Sequence, residues 1–558
     1  MDKFIIKYFV FSMTIVCLLL PFSVSAQESF SPIKFSGSSR MYGQFSNRQG
    51  TNQQVPANYW RWDLNSTLSV YGLPVSMNLF LSSEQSSQRQ NMNGMHIYFN
   101  PQQFLREKAM NKFSKVLSWF SKIGIGRTYP RYSLLTLNGV SVTGVNVEFT
   151  PGIIYFAVTA GKTQKAISGS EIIKSTYERN LFATRFGLGK KRSTHLHFTF
   201  LHARDNEKSL SNDTTGAAPK ENYLVGTDVN IFLFKRRFNL QGELVASMLT
   251  RDINSAEVRK EDLKQVPSWM ISSFKPKISS SVDYAYSVKS YLNLTNTRLS
   301  GAVKMIGPGF YSFGVPYLRN DELTYEARIR QNLCKRKISV GSYLRRSRDN
   351  LIPWKRTTTI SSAYGINLSF RFAKLPYFQL NYAPYFQNND MEVDSLKTDN
   401  KTSLFSVATG YTHKLGDITS STNFFFSSQH NKTHTDISNY SIQNYSLNES
   451  VSFQFPLTLM ASLSLYNSNY SRQNSKIISY DLSGAYAAFK KWRNTFGLRL
   501  TNQKKENNKT GFYLMSSFPI RKFGDLNIHA EQNFFRDRGE STKNYDEFVL
   551  RVSIVKRW

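Results

Sequence analysis

The sequence predicts an all-β fold, an antiparallel transmembrane barrel of about 26 strands, within a range of about 22 to 26. Three observations predict it. The last residues of the chain alternate between apolar and polar side chains. Aromatic residues make up 14% of the chain although its mean hydropathy is −0.39. The connections between strand-like segments alternate between very short and long.

The final strand carries the clearest alternation. A side-chain period of two is the pattern of a strand with one apolar face. An uncovered apolar edge strand would invite aggregation, and a closed barrel in a membrane removes that edge. The apolar face is predicted to consist of Phe548, Leu550, Val552, Ile554 and Trp558, with Arg551, Ser553 and Arg557 on the other face.

Residues 1–26 are predicted to be a secretory signal peptide, and 27–558 a single barrel domain. Lys3 and Lys7 precede an apolar run, and Ala26 closes a small-residue cleavage site. The alternative, a membrane-spanning helix, needs a longer apolar run. The mature chain keeps one cysteine, Cys334, so an internal disulfide and a zinc finger are both excluded.

The net charge of +33 would ordinarily suggest a nucleic-acid ligand. Export argues against that reading, and so does the position of the basic residues, which cluster at tight turns such as Lys190-Lys191-Arg192 and Lys335-Arg336-Lys337. Longer polar connections, such as 163–178 and 252–278, alternate with these turns. Short turns at one rim and long loops at the other are typical of an outer-membrane barrel. A β-propeller would show a repeated blade motif, and none is found.

Together these features resemble the outer-membrane β-barrel proteins of Gram-negative bacteria, including the porin-like ones. The resemblance implies location in the cell outer membrane, with lipid and the barrel assembly machinery as partners. In that family the machinery recognises a final strand that ends on an aromatic residue. Lys556 departs from this pattern by placing a charge on the apolar face. The matching positions, interpreted as the assembly signal, are Phe548, Leu550, Val552, Ile554 and Trp558.

Residues 101–121 break the alternation and predict one basic amphipathic helix. Asn100 is a suitable N-cap, Pro101 suits the first turn, and Gly124 lies beyond the end. The helix is interpreted either as lying at the membrane interface or packed under the barrel, or as a pore plug, since wide barrels are commonly plugged. The apolar plug residues would be Leu105, Phe113, Val116 and Phe120.

Arginine–aspartate pairs recur at the ends of strands predicted to run towards the outer rim. They could select charged solutes or bind anionic surface lipid. The alternative is a set of ordinary exposed ion pairs, each worth under about 1 kcal/mol. The possible rim charges are Arg204, Asp205, Arg251, Asp252, Arg348, Asp349, Arg536 and Asp537.

Two further groups leave alternatives open. The Gly/Pro-shaped segment from Gly307 to Asp321 is either an inward constriction or a shaped outer loop. His195 and His197 share a face assigned to the lumen, but a metal site would need a third ligand nearby. No metal, cofactor or catalytic residue is predicted, and the chain is not expected to be an enzyme.

Two functions therefore remain. The first is an outer-membrane channel or translocation pore whose lumen is occluded by helix 101–121, by loops or by a partner. The second is a barrel that serves as a scaffold subunit in an envelope complex for secretion, surface-protein assembly or lipid export. A TonB-dependent transporter is less favoured, because strand-like sequence begins at Ile33 and leaves no room for a plug domain.

We expect deletion of 548–558 to abolish assembly before it alters any activity, because the barrel could no longer close. The measurement is heat-modifiable electrophoretic mobility of the outer-membrane fraction. A truncated chain that still folded in that membrane would contradict the closure argument.

Overall fold

A computed structural model describes residues 33–52, 56–70, 73–84, 89–102, 112–169, 174–210, 216–259, 274–435, 438–471, 473–489, 491–504 and 506–558. The predicted signal peptide, 1–26, lies outside the described residues. All the named strands belong to one antiparallel sheet of 26 strands that closes on itself. The predicted fold class and strand number are confirmed.

Each strand pairs with its neighbours in sequence, and the last pairs with the first. The strands are β1 (Ile33–Gln49), β2 (Asn58–Val70), β3 (Leu73–Ser82), β4 (Gly94–Phe99), β5 (Phe120–Thr128), β6 (Val142–Phe149), β7 (Ile154–Gln164), β8 (Glu178–Leu188), β9 (His195–Asn206), β10 (Glu221–Leu233), β11 (Phe238–Thr250), β12 (Ser280–Asn293), β13 (Thr297–Ile306), β14 (Glu322–Leu333), β15 (Ile338–Arg348), β16 (Thr359–Phe370), β17 (Tyr377–Asn389), β18 (Asp399–Leu415), β19 (Ile418–Lys432), β20 (Tyr440–Ser452), β21 (Leu457–Tyr470), β22 (Gln473–Ala488), β23 (Trp492–Gln503), β24 (Asn507–Ile520), β25 (Gly524–Asp537) and β26 (Tyr545–Arg557).

The closing pair is β1 with β26, in a register from Ser38 opposite Arg557 to Gln49 opposite Asp546. Trp558 extends the pairing, since its backbone exchanges hydrogen bonds of 2.9 and 3.1 Å with Gly37. Its ring stacks on Phe35 with 5.4 Å between centroids. The predicted closure of the barrel through its terminal strand is therefore confirmed.

The two faces of the wall differ in chemistry. Phe182, Phe186 and Phe198 are exposed on the outer face, while Arg185 and Asn146 are buried on the inner face. Directly opposite residues share a face, so the pairing register extends this assignment around the whole sheet. The strands thus place an apolar surface outside and a polar surface inside. Among the described residues, no helix is long and apolar enough to span a membrane.

The connections follow the predicted rhythm. Turns after even-numbered strands are short, such as 150–153 and 416–417, whereas connections after odd-numbered strands include the long ones, such as 129–141 and 307–321. The exception is the connection after β4, which contains the short helix α1 (Lys112–Leu117). Both ends of the described barrel lie at the short-turn rim, which corresponds to the periplasmic side.

The predicted extent of the helix at 101–121 is wrong at its C-terminal end. Residues 101–102 and 112–117 are helical, and 103–111 lie outside the described residues. Phe120 is the first residue of β5 and lies opposite Phe149, with 4.9 Å between the ring centroids. Sheet pairing with β6 satisfies its backbone, so the apolar spacing that includes Phe120 belongs partly to a strand.

Candidate functional site in the lumen

Part of the inner wall carries a second layer of chain. The connections 129–141 and 307–321 fold inward from the long-loop rim and pack against the lumenal face of β6–β13. The apolar residues buried between wall and layer include Tyr132, Leu135, Leu137, Val142, Tyr155, Leu181, Leu201, Leu224, Val245, Leu249, Ile306, Phe310 and Phe313. We call these two connections the inner layer.

The two segments of the inner layer bind each other. Ser312 Oγ donates to the Thr136 carbonyl oxygen at 2.8 Å, and the Asn138 N–H donates to the Gly314 carbonyl at 3.0 Å. A Cβ at Gly314 would lie 2.2 Å from the Thr136 carbonyl oxygen. Only glycine allows this close backbone approach.

Asn222 and Ser247 fasten segment 307–321 to the wall. The Asn222 side chain donates to the Tyr311 carbonyl at 3.1 Å and accepts from the Phe313 N–H at 3.0 Å. Ser247 Oγ also donates to Tyr311, at 2.5 Å. The Phe313 ring lies 3.5 Å from the guanidinium of Arg179, so the attachment combines polar and cation–π contacts.

Segment 129–141 is fastened by buried charged groups. Glu243 accepts a hydrogen bond of 2.9 Å from the Leu135 N–H. Arg185, whose side chain is 2% exposed, donates 2.5 Å bonds to the Tyr132 carbonyl and to Asp228. A buried charge is retained only where partners compensate its desolvation, and the inner layer supplies one of those partners.

Asp321 links the inner layer to the outer connection 349–358. Its carboxylate accepts from the Leu351 N–H at 2.8 Å, from Trp354 Nε1 at 3.2 Å and from Lys355 Nζ at 2.5 Å. Burial alone would raise the pKa of Asp321, but these hydrogen bonds hold that pKa below its usual value. Burial would lower the pKa of Lys355, but the bond with Asp321 raises it. The pair stabilises the fold at neutral pH, and this contribution is lost as the pH falls through the lowered pKa of Asp321 or rises through the raised pKa of Lys355.

The sequence left two positions open for the segment from Gly307 to Asp321, and the structure shows the inward one. Segment 129–141 was not recognised as a long connection at all. Its signals were Pro130 and the Asn138-Gly139 turn, which interrupt the alternation between β5 and β6.

The inner layer covers only one side of a wide space. A circular barrel of 26 strands, spaced about 4.8 Å apart and tilted about 40°, is about 50 Å across between backbones. A layer of chain adds about 10 Å to one wall. From β14 to β26, the inner faces of the described strands carry few buried residues. The geometry suits a broad polar lumen that is narrowed on one side.

A group of basic side chains lies on the inner wall beside the inner layer. Arg298 and Arg330 are directly opposite each other on β13 and β14, and like charges in such positions repel. Two carboxylates, Glu322 and Glu326, pair with Arg345 at 3.7 and 3.6 Å. We call the group the lumenal basic patch; it consists of Lys289, Arg298, Lys304, Arg328, Arg330 and Arg345.

His195 and His197 do face the lumen side of β9, and Asp228 of β10 is the third residue near them. The imidazole rings stack 4.2 Å apart rather than converging on one point. Both nitrogens of His195 are engaged, with the Ser193 carbonyl and with Asp228, and Asp228 also binds Arg185. These contacts explain the cluster as a hydrogen-bonded support for the wall.

The predicted plug residues remain at the periplasmic rim where the structure describes them. Val116 is 46% exposed, and Phe120 belongs to the wall. The chain beside α1 is tied to the β6–β7 turn, because the Thr150 N–H donates to the Trp119 carbonyl at 2.6 Å. Leu105 lies outside the described residues, as does the side chain of Phe113.

The predicted rim charges lie at the outer ends of β9, β11, β15 and β25, so the structure does not bring them together as one site. Most have local partners. Asp205 is buried and binds Arg179. Arg536 binds Asp546, and Asp537 accepts backbone N–H groups of the turn that follows it. Arg204 binds Glu207, Asp252 accepts from the Asn254 N–H, and Asp349 accepts from the Thr359 N–H. Arg251 and Arg348 are exposed.

We expect Asn222→Leu to detach segment 307–321 from the wall, because it leaves the Phe313 N–H and the Tyr311 carbonyl with fewer hydrogen-bond partners. Each buried polar group left unpaired destabilises the attachment by about 1–3 kcal/mol. Hydrogen exchange of the 307–321 amides should rise. Asn230→Leu is the matched control, since Asn230 lies on the same face of β10 and its side chain bonds to Ser193 of the β8–β9 turn and to Asn239 of β11, outside the inner layer. Equal exchange in both variants would contradict the anchoring role of Asn222.

A closed sheet edge, an apolar outer face and a polar interior together define a transmembrane β-barrel, the architecture of outer-membrane proteins. No protein-family model and no curated protein matches the sequence.

Several solved structures are similar in fold. The P pilus usher (PapC) translocation pore gives a TM-score of 0.38 at 9% identity, over 94% of this chain and 99% of that one. Pseudomonas aeruginosa OccK2 (OpdF) gives 0.32 at 11% identity, over 68% and 97%. A BenF-like porin from Pseudomonas fluorescens Pf-5 gives 0.31 at 12% identity, over 68% and 98%.

Proposed function

We propose that this protein is an outer-membrane translocation pore whose lumen is constricted by the inner layer. The observation that carries the proposal is how firmly that layer is held. Buried side chains from β8, β10 and β11 bind its backbone, through Arg185, Asn222, Glu243 and Ser247. Such anchoring supports a fixed constriction rather than a loose surface loop. The function requires no catalytic residue, metal or cofactor.

The lumenal basic patch supports a preference for anions. A solute that passes the inner layer would meet exposed guanidinium groups, including Arg298 and Arg330. Within the described residues, neither of these two arginines has an ion pair. Rings or patches of basic side chains favour anions in pores because they lower the electrostatic cost of entry.

We expect the double variant Arg298→Ser and Arg330→Ser to shift the reversal potential of single pores towards cation preference, because it removes two lumenal positive charges. The measurement uses planar bilayers under a salt gradient. The control is the double variant Arg346→Ser and Lys401→Ser, which removes the same charge from the outer face. Conducting pores with unchanged selectivity in both variants would contradict the role of the patch.

Deletion of 101–117, which leaves the wall strand β5 complete, tests the second candidate for occlusion. If the inner layer forms the constriction, we expect conductance to stay close to that of the full chain, because the described part of this segment lies at the rim. A severalfold rise in conductance would show that the segment is the plug instead. Folding is checked by heat-modifiable mobility.

The same preparations test the scaffold alternative. We propose outer-membrane lipid and the barrel assembly machinery as partners, the latter through Phe548, Leu550, Val552, Ile554 and Trp558. An additional stoichiometric envelope protein, retained in mild detergent by a barrel that does not conduct, would favour a scaffold subunit over a pore.

A further inference from the structure

We propose that the outer, lipid-facing wall of this barrel binds the phosphorylated headgroup of an outer-leaflet glycolipid. The site is a depression of about 590 Å³ on β15–β18, lined by Arg346, Lys397 and Lys401 together with the aromatic residues Tyr364 and Phe386. We call it the outer basic site. It is separate from the lumen, and the proposal does not depend on the proposed pore function.

The register places these residues on the outer face. Arg346 lies opposite Ser362, Ser362 opposite Phe386, and Phe386 opposite Lys401. Lys432 continues the same row on β19. The neighbouring residue Arg345 points into the lumen instead, because successive side chains of a strand alternate between its two faces. The row therefore faces lipid.

The depth of the row matches the outer headgroup level. Arg346 lies near the end of β15, Lys401 near the start of β18, and Lys432 is the last residue of β19, all beside connections of the long-loop rim. The outer face below is apolar, with Leu344, Ile366 and Tyr382 exposed on it. A lipid could thus place its chains on the apolar wall and its headgroup among the basic residues.

The charges of the site are incompletely balanced. Asp399, which is 3.2 Å from Lys401, is the single carboxylate among the described lining residues. Arg346 has no ion pair within the part of the chain that the structure describes. Lys401 and Lys432 lie directly opposite each other, where like charges repel. A bound anion with several negative oxygens would relieve this repulsion.

Aromatic residues complete the site. Phe386 stands in the basic row itself, and its ring meets that of Tyr364, two residues below Ser362 on β16, edge to face with 6.2 Å between the centroids. Aromatic residues are enriched at the boundary between headgroups and hydrocarbon. Tyrosine suits this boundary because its ring is apolar and its hydroxyl group is polar. Cations beside an interfacial aromatic pair are suited to an anionic lipid rather than to a free ion in water.

The experiment measures glycolipid retained by the purified full-length barrel in mild detergent, using native mass spectrometry. The probe is a bis-phosphorylated glycolipid of the lipid A type, compared with its dephosphorylated form. We expect Arg346→Ser with Lys401→Ser to weaken retention of the phosphorylated probe by about thirtyfold, since each basic group near an anionic lipid contributes roughly one factor of five to six.

The control is the lumenal double variant Arg298→Ser and Arg330→Ser, which changes net charge equally and should retain the glycolipid as the unaltered chain does. Folding of each variant is checked by heat-modifiable mobility. Equal loss in both double variants, or equal retention of the dephosphorylated probe, would overturn the proposal. Displacement of the glycolipid by millimolar inorganic phosphate alone would overturn it too, because it would identify a site for the free anion.

Discussion

The structure depends on the pairing of its last strand with its first. In the hydrocarbon interior no water can satisfy a free backbone N–H or C=O group, so a sheet is stable there only when it has no edge. The pairing of β1 with β26 removes both edges, and the stacked rings of Phe35 and Trp558 cover the point where the pairing ends. The lumen and its inner layer exist only because this pairing closes the wall around them.

Closing so many strands creates a second problem, because the lumen becomes too wide for side chains alone to fill. The inner layer fills part of this space, on one side of the lumen only. The inner layer packs Phe310, Leu135 and Leu137 against small wall residues such as Ala183 and Ala203, and polar wall residues take up its free backbone groups. The result is a conventional packed core between a β-wall and two loops, built within a polar lumen.

Pairs of like charge occur on both faces of the wall, on β13 and β14 at the lumen side and on β18 and β19 at the outer side. Arg298 and Arg330 lie opposite each other on the lumen side, and Lys401 and Lys432 do so on the outer side. Cross-strand pairs of like charge reduce sheet stability, so their presence needs an anion or water to compensate. The arginine pair faces water in the lumen, so we propose solutes as its ligands. The lysine pair faces the membrane, so we propose lipid as its ligand.

The sequence by itself determined the barrel, its strand number and its closing strand, because a period of two is a local property that each segment shows without its neighbours. Phe548 to Trp558 and the alternation of turns were sufficient for that. Tertiary structure alone decided that 129–141 and 307–321 fold inward, that Asp228 joins His195 and His197, and that Phe120 belongs to a strand. These outcomes depend on pairing register and on contacts between residues that are from about thirty to more than a hundred positions apart, such as Phe120 with Phe149 and Leu135 with Glu243. The spacing of residues along the sequence does not record such contacts.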